Sequence, residues 1–544
     1  MRRGSQAIGL LVAVLAGVAL GLAWQPYAVW PLLLVGVPAL TLLSRGVRAR
    51  RAFGLGYGFG LGMLGVTISW VHVLGWWVAA VLVLFMALYY GLLGVALSLV
   101  TRLRWWPVPA AACWVAAELA YSSFPFGGFG WTRLAYAAVD TPLNGWFPVV
   151  GVAGVSFVVA LVGQVVAWVV VLLRERRPRV LQRALPAVLV LAAVGVAGAG
   201  LRSFQVEPLA GREGSVEVGI VQGNVPGRGI EALGRARTVT NNHLSESVEL
   251  MAQARLGQVA RPDFLLWPEN STDIDPSLDP VTRLTVAGAA AVAGVPLLVG
   301  AVTQGPGEDE RQTTALWWDP VRGPVATYHK RNLVPFGEWI PFRAQLLPIV
   351  PILREVGAQS VPGTEPGVLR VPIAGRTVAV GDVICFELAY DATVHETMTK
   401  GAQVLVVQSN NATYGGTGQI EQQFAITRAR AMESRREIAV ATTNSVSGFI
   451  DRDGRVVERT AEFTSAGFVE TMPLRSALTP AVVAGAWPAR GLALLALAAV
   501  GLALVRRRSA RPAVGHNGGS GGAEDAPATS TTQPAPSPTR EPIR

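Results

Sequence analysis

At 544 residues, with 51% hydrophobic and only 15% charged residues, the chain is too long and too apolar for one ordinary soluble domain. Its formal net charge of +10 raises nucleic-acid binding as a class, but the arginines gather at the ends of apolar runs and form no binding face, so that class is set aside. Two cysteines do not make a disulfide framework.

A helix that crosses a bilayer needs about 20 mostly apolar residues. Eight runs approach that length, at roughly 7–24, 27–44, 52–72, 75–100, 105–121, 146–173, 184–201 and 488–505. The first also has the basic start and short apolar core of a cleaved signal peptide, although further spans follow at once. Arg2 and Arg3 precede the first run, and Arg45, Arg48, Arg50 and Arg51 separate the second from the third. Arg102 and Arg104 follow the fourth, Arg174 to Arg183 the sixth, and Arg506 to Arg508 the eighth. The alternate short loops carry almost no basic residues, and Arg133 is the exception. Cytoplasmic loops carry the Lys/Arg excess, so this alternation places both termini inside and the block between the seventh and eighth runs outside.

The runs hold few ionisable residues, Glu118 near the outer end of the fifth being the exception, which argues against an ion or proton transporter. Cys113 in the same run reads as a small packing residue. The loop 122–144, SSFPFGGFGWTRLAYAAVDTPLN, is rich in Gly and aromatics. It suits either a lipid entrance or a plain interfacial belt.

Residues 214–475 have ordinary charge density and enough length for their own core. Strands are expected at 216–225, 263–269, 295–303, as a pair within 315–330, at 377–385 and at 402–411; helices are expected near 232–257, 279–293, 391–400 and 419–436. The strand EIAVATTNS and the hairpin GFIDRDGRVVE close the block. Such alternation indicates a layered α/β domain with reactive groups at strand ends. The division is therefore 1–205 as a seven-helix membrane region, 214–475 as the outer domain, 486–506 as the last span and 509–544 as a disordered cytoplasmic tail of Pro, Gly, Ser, Thr and Ala.

Three expected strands of the outer domain finish on reactive residues: Glu269 after LLWP, Lys330 after VATYH, and Cys385 after TVAVGDVI, with Asp382 and Glu387 flanking the thiol. A thiol needs a base or cation to act as a nucleophile, and acyl transfer needs positive charge near the developing oxyanion. Of 46 basic residues only Lys330 and Lys400 are lysine, which points to a need for a compact ammonium at position 330.

The motifs HKRNLVPFGEWIPFR (329–343), WPEN (267–270), ICFE (384–387) and SNNATYGG (409–416), in this order between seven spans and one, resemble the apolipoprotein N-acyltransferase family, a membrane branch of the nitrilase superfamily. The resemblance implies an eight-span α-helical membrane protein that carries an αββα nitrilase-like sandwich outside the inner membrane. It further implies Glu269 as general base, Lys330 as oxyanion stabiliser and Cys385 as nucleophile, with Glu338 and Glu387 orienting Lys330. Phe386, Asn410, Tyr414 and Trp339 are the corresponding candidates for substrate contact. The implied chemistry takes an acyl chain from a membrane phospholipid onto Cys385 and passes it to the α-amino group of a diacylglyceryl-modified N-terminal cysteine of an apolipoprotein. No metal, dissociable cofactor or nucleic acid enters. Phe386 stands where the family commonly has tyrosine, SNNATY replaces a more usual Asp-Trp-Phe loop, and the segment after VQGNVP lacks a tryptophan often found there. Two other readings are a membrane-anchored amidase, which would pass the acyl group to water, and a transporter or scaffold with an outer binding domain.

Overall fold

The structure is a computed structural model and describes residues 2–175, 180–203, 214–225, 227 and 237–509. The expected tail, most of the basic loop between the sixth and seventh runs, and nearly all of the segment after VQGNVP lie outside the described residues.

The chain opens with α1 (Arg2–Gly21), α2 (Leu33–Ser44), α3 (Ala49–Thr67), α4 (Trp76–Val100), α5 (Pro107–Tyr121), α6 (Phe147–Arg174) and α7 (Val180–Leu201). The layered domain follows as β1 (Ser215–Gln222), α8 (Thr238–Arg255), β2 (Phe264–Leu266), α9 (Pro280–Ala293), β3 (Leu297–Gln304), β4 (Glu310–Asp319) and β5 (Gly323–His329). Next come α10 (Arg343–Leu346), β6 (Gln359–Ser360), β7 (Val368–Ile373), β8 (Arg376–Ile384), α11 (Asp391–Thr399), β9 (Val404–Ser409) and α12 (Gly418–Ser434). The last elements are β10 (Ile438–Thr442), β11 (Gly448–Ile450), β12 (Val456–Arg459), β13 (Ala466–Pro473), α13 (Pro480–Ala484) and α14 (Trp487–Ser509).

Among the described residues four helices are long and apolar enough to cross a membrane, within Trp76–Val100, Pro142–Arg174, Ala184–Leu201 and Trp487–Arg507. The eight expected spans are therefore met by four. The other runs fall short for local reasons. Pro26, Pro31 and a 3-10 turn at Trp30–Leu32 leave α2 only 12 residues, and α3, though 19 residues long, is diluted by glycines and by Arg50 and Arg51. Pro107 starts α5 late and limits it to 15 residues. These helices still join the bundle, because small residues let backbones approach. A Cβ on Gly17 would lie 2.0 Å from the Phe59 carbonyl oxygen, and one on Gly56 2.2 Å from that of Tyr90.

Two sheets stack face to face in the other domain. One runs β13-β1-β2-β3-β4-β5 with β6 beside β4, and the second runs β12-β11-β10-β9-β8-β7. Period-two alternation builds the layer between them: Val218, Ile220, Phe264, Leu266 and Trp317 meet Val378, Val380, Ile384, Val406 and Ala439. The opposite face of the first sheet packs under α8 and α9, through Leu250, Trp267, Val286 and Ala290. Val383, Leu405 and Val407 face outward from the second sheet into a core that includes α11, α12 and the membrane helices. An αββα sandwich results, and one of its helical layers is continuous with the bundle. Three strands escaped the sequence reading: the two-residue β6, parallel to β4, β7, antiparallel to β8, and β13, antiparallel to β1.

The aromatic loop 122–144 forms the seat of that junction. Trp131 and Tyr136 are buried, and the indole N–H groups of Trp70 and Trp131 both donate to Gln422 Oε1 of α12, at 3.0 and 2.9 Å. Beneath them lies a buried ionic network. Arg430, 0% exposed, donates to Leu388 O and Asp391 Oδ1, both at 2.8 Å, and to Glu433 Oε2. Arg133 also donates to Asp391, at 2.7 Å. Glu433 Oε1 accepts the Val152 N–H at 3.0 Å, where α6 breaks at Gly151 with φ 68°. Burial opposes the charge on Asp391 and Glu433, but Arg430 and its neighbours outweigh it and hold both carboxyls well below the ordinary range. Removing one partner from such a buried set costs about 3–5 kcal/mol. Arg430→Met is thus expected to lower the melting temperature of the detergent-solubilised protein markedly, and an unchanged melting temperature would show that the network does not hold the two domains.

Candidate active site

β2 and β3 are parallel neighbours in one sheet, β8 and β9 in the other, and β5 runs in the sense of β3 because two antiparallel steps separate them. Their C-terminal ends share one edge, which brings Glu269, Lys330, Cys385 and Asn410 together. Gly300 of β3 permits this, since a Cβ there would lie 2.2 Å from Pro268 O and 2.6 Å from the Glu269 Cα.

Lys330 lies at the centre and is 2% exposed. Its Nζ donates to Glu269 Oε1 at 2.8 Å and sits 3.0 Å from Glu338 Oε2. An ammonium has three N–H groups, so one remains for a further acceptor. Its backbone is pinned as well: the Lys330 N–H donates to Thr313 O, and its carbonyl accepts from Gly363 N–H, both at 2.9 Å. Burial works against the ammonium, but the carboxylates of Glu269 and Glu338 outweigh it and hold Lys330 well above the ordinary lysine value.

Glu269 is buried, and its Oε2 accepts the Asn410 backbone N–H at 2.8 Å. Burial raises its pKa against the pull of Lys330, and Glu338 adds to the rise. Glu338 is itself held by the Thr313 hydroxyl at 3.1 Å and the Val334 N–H at 2.8 Å. Asn410 thus orients the carboxylate through its backbone, while its side-chain oxygen accepts from Thr443 at 3.1 Å.

Cys385 follows β8 in a left-handed conformation, φ 52°, at the start of a single 3-10 turn, Cys385–Ala389. A non-glycine residue there is strained by about 1–3 kcal/mol and persists only where its surroundings impose it. Glu387 imposes it. Its Oε2 accepts Ile384 N–H at 2.8 Å, its Oε1 accepts Arg331 N–H at 2.7 Å, and both oxygens accept the Tyr328 hydroxyl, at 2.8 and 2.9 Å. Glu387 therefore clasps the cysteine turn to the chain just after Lys330. Burial of the thiol and the Glu269 carboxylate push the Cys385 pKa up to about 12, so the resting thiol is protonated. Its Sγ lies 3.9 Å from Asn411 Oδ1. Asp382 points into the layer between the sheets, where burial pushes its carboxyl well above the ordinary range.

Aromatic rings wall this edge on the membrane side. Phe386 stacks on Phe129 and Trp131, with centroids 5.9 and 6.0 Å away, and meets Tyr390 edge-on at 5.4 Å. Tyr414 meets Trp70 edge-on at 5.2 Å. Trp339 lies further out, 6.1 Å from Phe126, which also touches Phe336 and Phe342. Sequence reasoning missed Tyr328, Asn411, Phe129, Trp131 and Gly300. Only the aromatic density of loop 122–144 signalled any of them. Among the described residues no group of three or more His, Cys, Asp or Glu is placed to hold a metal ion.

A protonated thiol beside a buried carboxylate, with an ammonium that keeps one donor free, can attack a carbonyl and stabilise the resulting oxyanion. Two family models match the chain: the apolipoprotein N-acyltransferase N-terminal domain over residues 16–165, and carbon-nitrogen hydrolase over residues 266–474. An apolipoprotein N-acyltransferase of Mycolicibacterium smegmatis is 34% identical over 94% of this chain and 86% of its own length. One of Azotobacter vinelandii is 28% identical over 93% of this chain and 97% of its own. Among solved structures, a mutant of the Nesterenkonia AN1 amidase from the nitrilase superfamily aligns with TM-score 0.36 and 16% identity, covering 51% of this chain and 96% of that one. With the relative from Mycolicibacterium smegmatis matched nearly end to end, the chain belongs to the apolipoprotein N-acyltransferase family.

Proposed function

We propose that this protein transfers an acyl chain from a membrane phospholipid to the N-terminal amine of a diacylglyceryl-modified apolipoprotein, through a thioester on Cys385. The observation that carries the reading is the buried Lys330 between Glu269 and Glu338, beside a strained cysteine whose turn packs onto the membrane bundle.

In the first half-reaction the Cys385 sulfur bonds to the ester carbonyl carbon while Glu269 takes the thiol proton. The carbonyl oxygen becomes an oxyanion, and the free N–H of Lys330 stabilises it. The ester C–O bond then breaks, and the proton held by Glu269 passes to the departing lysophospholipid oxygen. In the second half-reaction the amine nitrogen attacks the thioester carbon, Glu269 accepts a proton from it, and the C–S bond breaks to return the thiol. Glu338 and Glu387 are positioning residues, the first for the ammonium and the second for the cysteine turn. The wall formed by Phe386, Phe129, Trp131 and Tyr414 offers an apolar surface for acyl chains.

The relatives' name for their substrate, the apolar helices and the alternating arginines support the wider setting. Eight helical segments, including the shorter ones, cross or line the inner membrane. Residues 1–205 and 486–506 form the membrane part, 214–475 stand on the extracytoplasmic side, and both termini, with the 509–544 tail, are cytoplasmic.

Two measurements test the chemistry. Lys330→Arg replaces a compact ammonium by a planar group in a site with no room for it, so transfer to a diacylglyceryl peptide is expected to fall about 100- to 1,000-fold. Activity within twofold of the parent would remove Lys330 from the mechanism. The pH profile of Cys385 acylation should have an acid limb set by Glu269. The raised pKa of Glu269 means that its basic form is lost as pH falls through a value above the ordinary carboxylate range. Glu338→Gln deletes a like charge that raises Glu269, so the limb should move to lower pH, with the plateau rate lowered about 10- to 100-fold by a looser ammonium. A limb that stays in place would show that another group sets it.

A further inference from the structure

A cavity of about 250 Å³, apart from the chemistry above, opens where the layered domain meets the end of α7. Asp140, Arg202, Arg428, Arg435, Asp453 and Arg455 line it, four guanidinium groups against two carboxylates. The two carboxylates are already engaged. Arg428 holds Asp140 through two hydrogen bonds, at 2.6 and 3.2 Å, and Arg435 holds Asp453 through its Nη1. Among the described residues Arg202, itself exposed, donates only to neutral oxygens, Asn144 Oδ1 at 2.7 Å and Thr141 O at 3.1 Å, which fix its direction without balancing its charge. Arg455 is exposed, and its side chain has no partner among the described residues. Arg435 is 6% exposed, and its Nε–H finds no acceptor. Two uncompensated guanidinium groups and an unpaired buried donor around one cavity call for an anion with several acceptor oxygens, which is the chemistry of a phosphate group.

The surroundings indicate where the phosphate comes from. Arg435 also donates to the carbonyls of Leu201 and Arg202, at 2.9 and 3.1 Å, and so ties the cavity to the last turn of α7. That helix buries only 11% of its apolar window against the protein, and Leu185, Val188, Leu189 and Val196 stand exposed along it. A helix so bare faces acyl chains, and its end marks the level of lipid headgroups. We propose that the cavity binds the phosphate of an anionic phospholipid headgroup in the outer leaflet, at a second lipid site distinct from the thioester centre. The leaflet rests on the topology proposed above. The site is separate from the thioester centre because none of Glu269, Lys330, Glu338, Cys385 and Glu387 is among the residues that line the cavity. A lipid held there would anchor the layered domain to the bilayer surface without entering the reaction.

The test compares full-length parent and Arg202→Gln/Arg455→Gln proteins in detergent by native mass spectrometry, with dioleoylphosphatidylglycerol, dioleoylphosphatidylcholine or inorganic phosphate added. The parent should retain at least tenfold more phosphatidylglycerol than the variant, both should retain phosphatidylcholine equally, and millimolar phosphate should not displace the lipid. Arg202 also holds Asn144, so Arg455→Glu, at an exposed side chain, is a second variant expected to lose phosphatidylglycerol while keeping the parental melting temperature. Equal retention of phosphatidylglycerol by the parent and Arg455→Glu would overturn the proposal. Displacement by inorganic phosphate would overturn the lipid source and make a soluble phosphate the ligand. Absence of an acyl adduct on Cys385 with retained phosphatidylglycerol binding would defeat the thioester reading and leave this one standing.

Discussion

The structure depends on one buried ammonium. Lys330 is almost wholly removed from water and would be costly there alone, yet two carboxylates at 2.8 and 3.0 Å hold it charged. Three charges in one dry site fix one another's positions. Glu269 cannot turn away without leaving the Asn410 N–H unpaired and Lys330 with a single carboxylate, and Glu338 cannot leave without releasing Thr313 and Val334. The thiol sits inside this field as a neutral group. In the proposed mechanism Glu269 takes the thiol proton as the sulfur attacks.

A second constraint couples this edge to the membrane. The 3-10 turn carrying Cys385 is held on one side by Glu387, through the backbone of Ile384 and Arg331, and on the other by Arg430, through Leu388 O. Arg430 belongs to the network that reaches Arg133 in loop 122–144 and, through Glu433, the broken turn of α6. Cys385 is thus positioned by the same polar contacts that seat one domain on the other. Phe386 fits this arrangement because its ring is used for stacking on Phe129 and Trp131.

Much of this was legible in the chain. Alternating apolar runs gave the strands of both sheets, Asp279 caps α9 where a helix start was expected, and strand ends pointed to Glu269, Lys330 and Cys385. The strands β7 and β13 were not, since VLRVPI carries a proline and AGFVETMP is short of β-branched residues, and both take their conformation from a partner strand. Span counting failed where prolines and 3-10 turns shortened helices that are apolar but packed inside a bundle. Tyr328 and Asn411 were invisible because their roles come from contacts 59 and 26 residues away in sequence. Glu387 was expected beside Lys330 and serves the backbone of the cysteine turn, a distinction that only three-dimensional register reveals.

The proposed acyl transfer depends on a covalent bond between Cys385 and an acyl chain. Incubating the full-length protein with a phospholipid of defined acyl composition, without an amine acceptor, and mapping the product by mass spectrometry measures it directly. The expected result is one acyl chain on Cys385, discharged by a diacylglyceryl peptide and absent from Cys385→Ala. An acyl chain on any other residue, or transfer to the peptide undiminished in Cys385→Ala, would contradict the account.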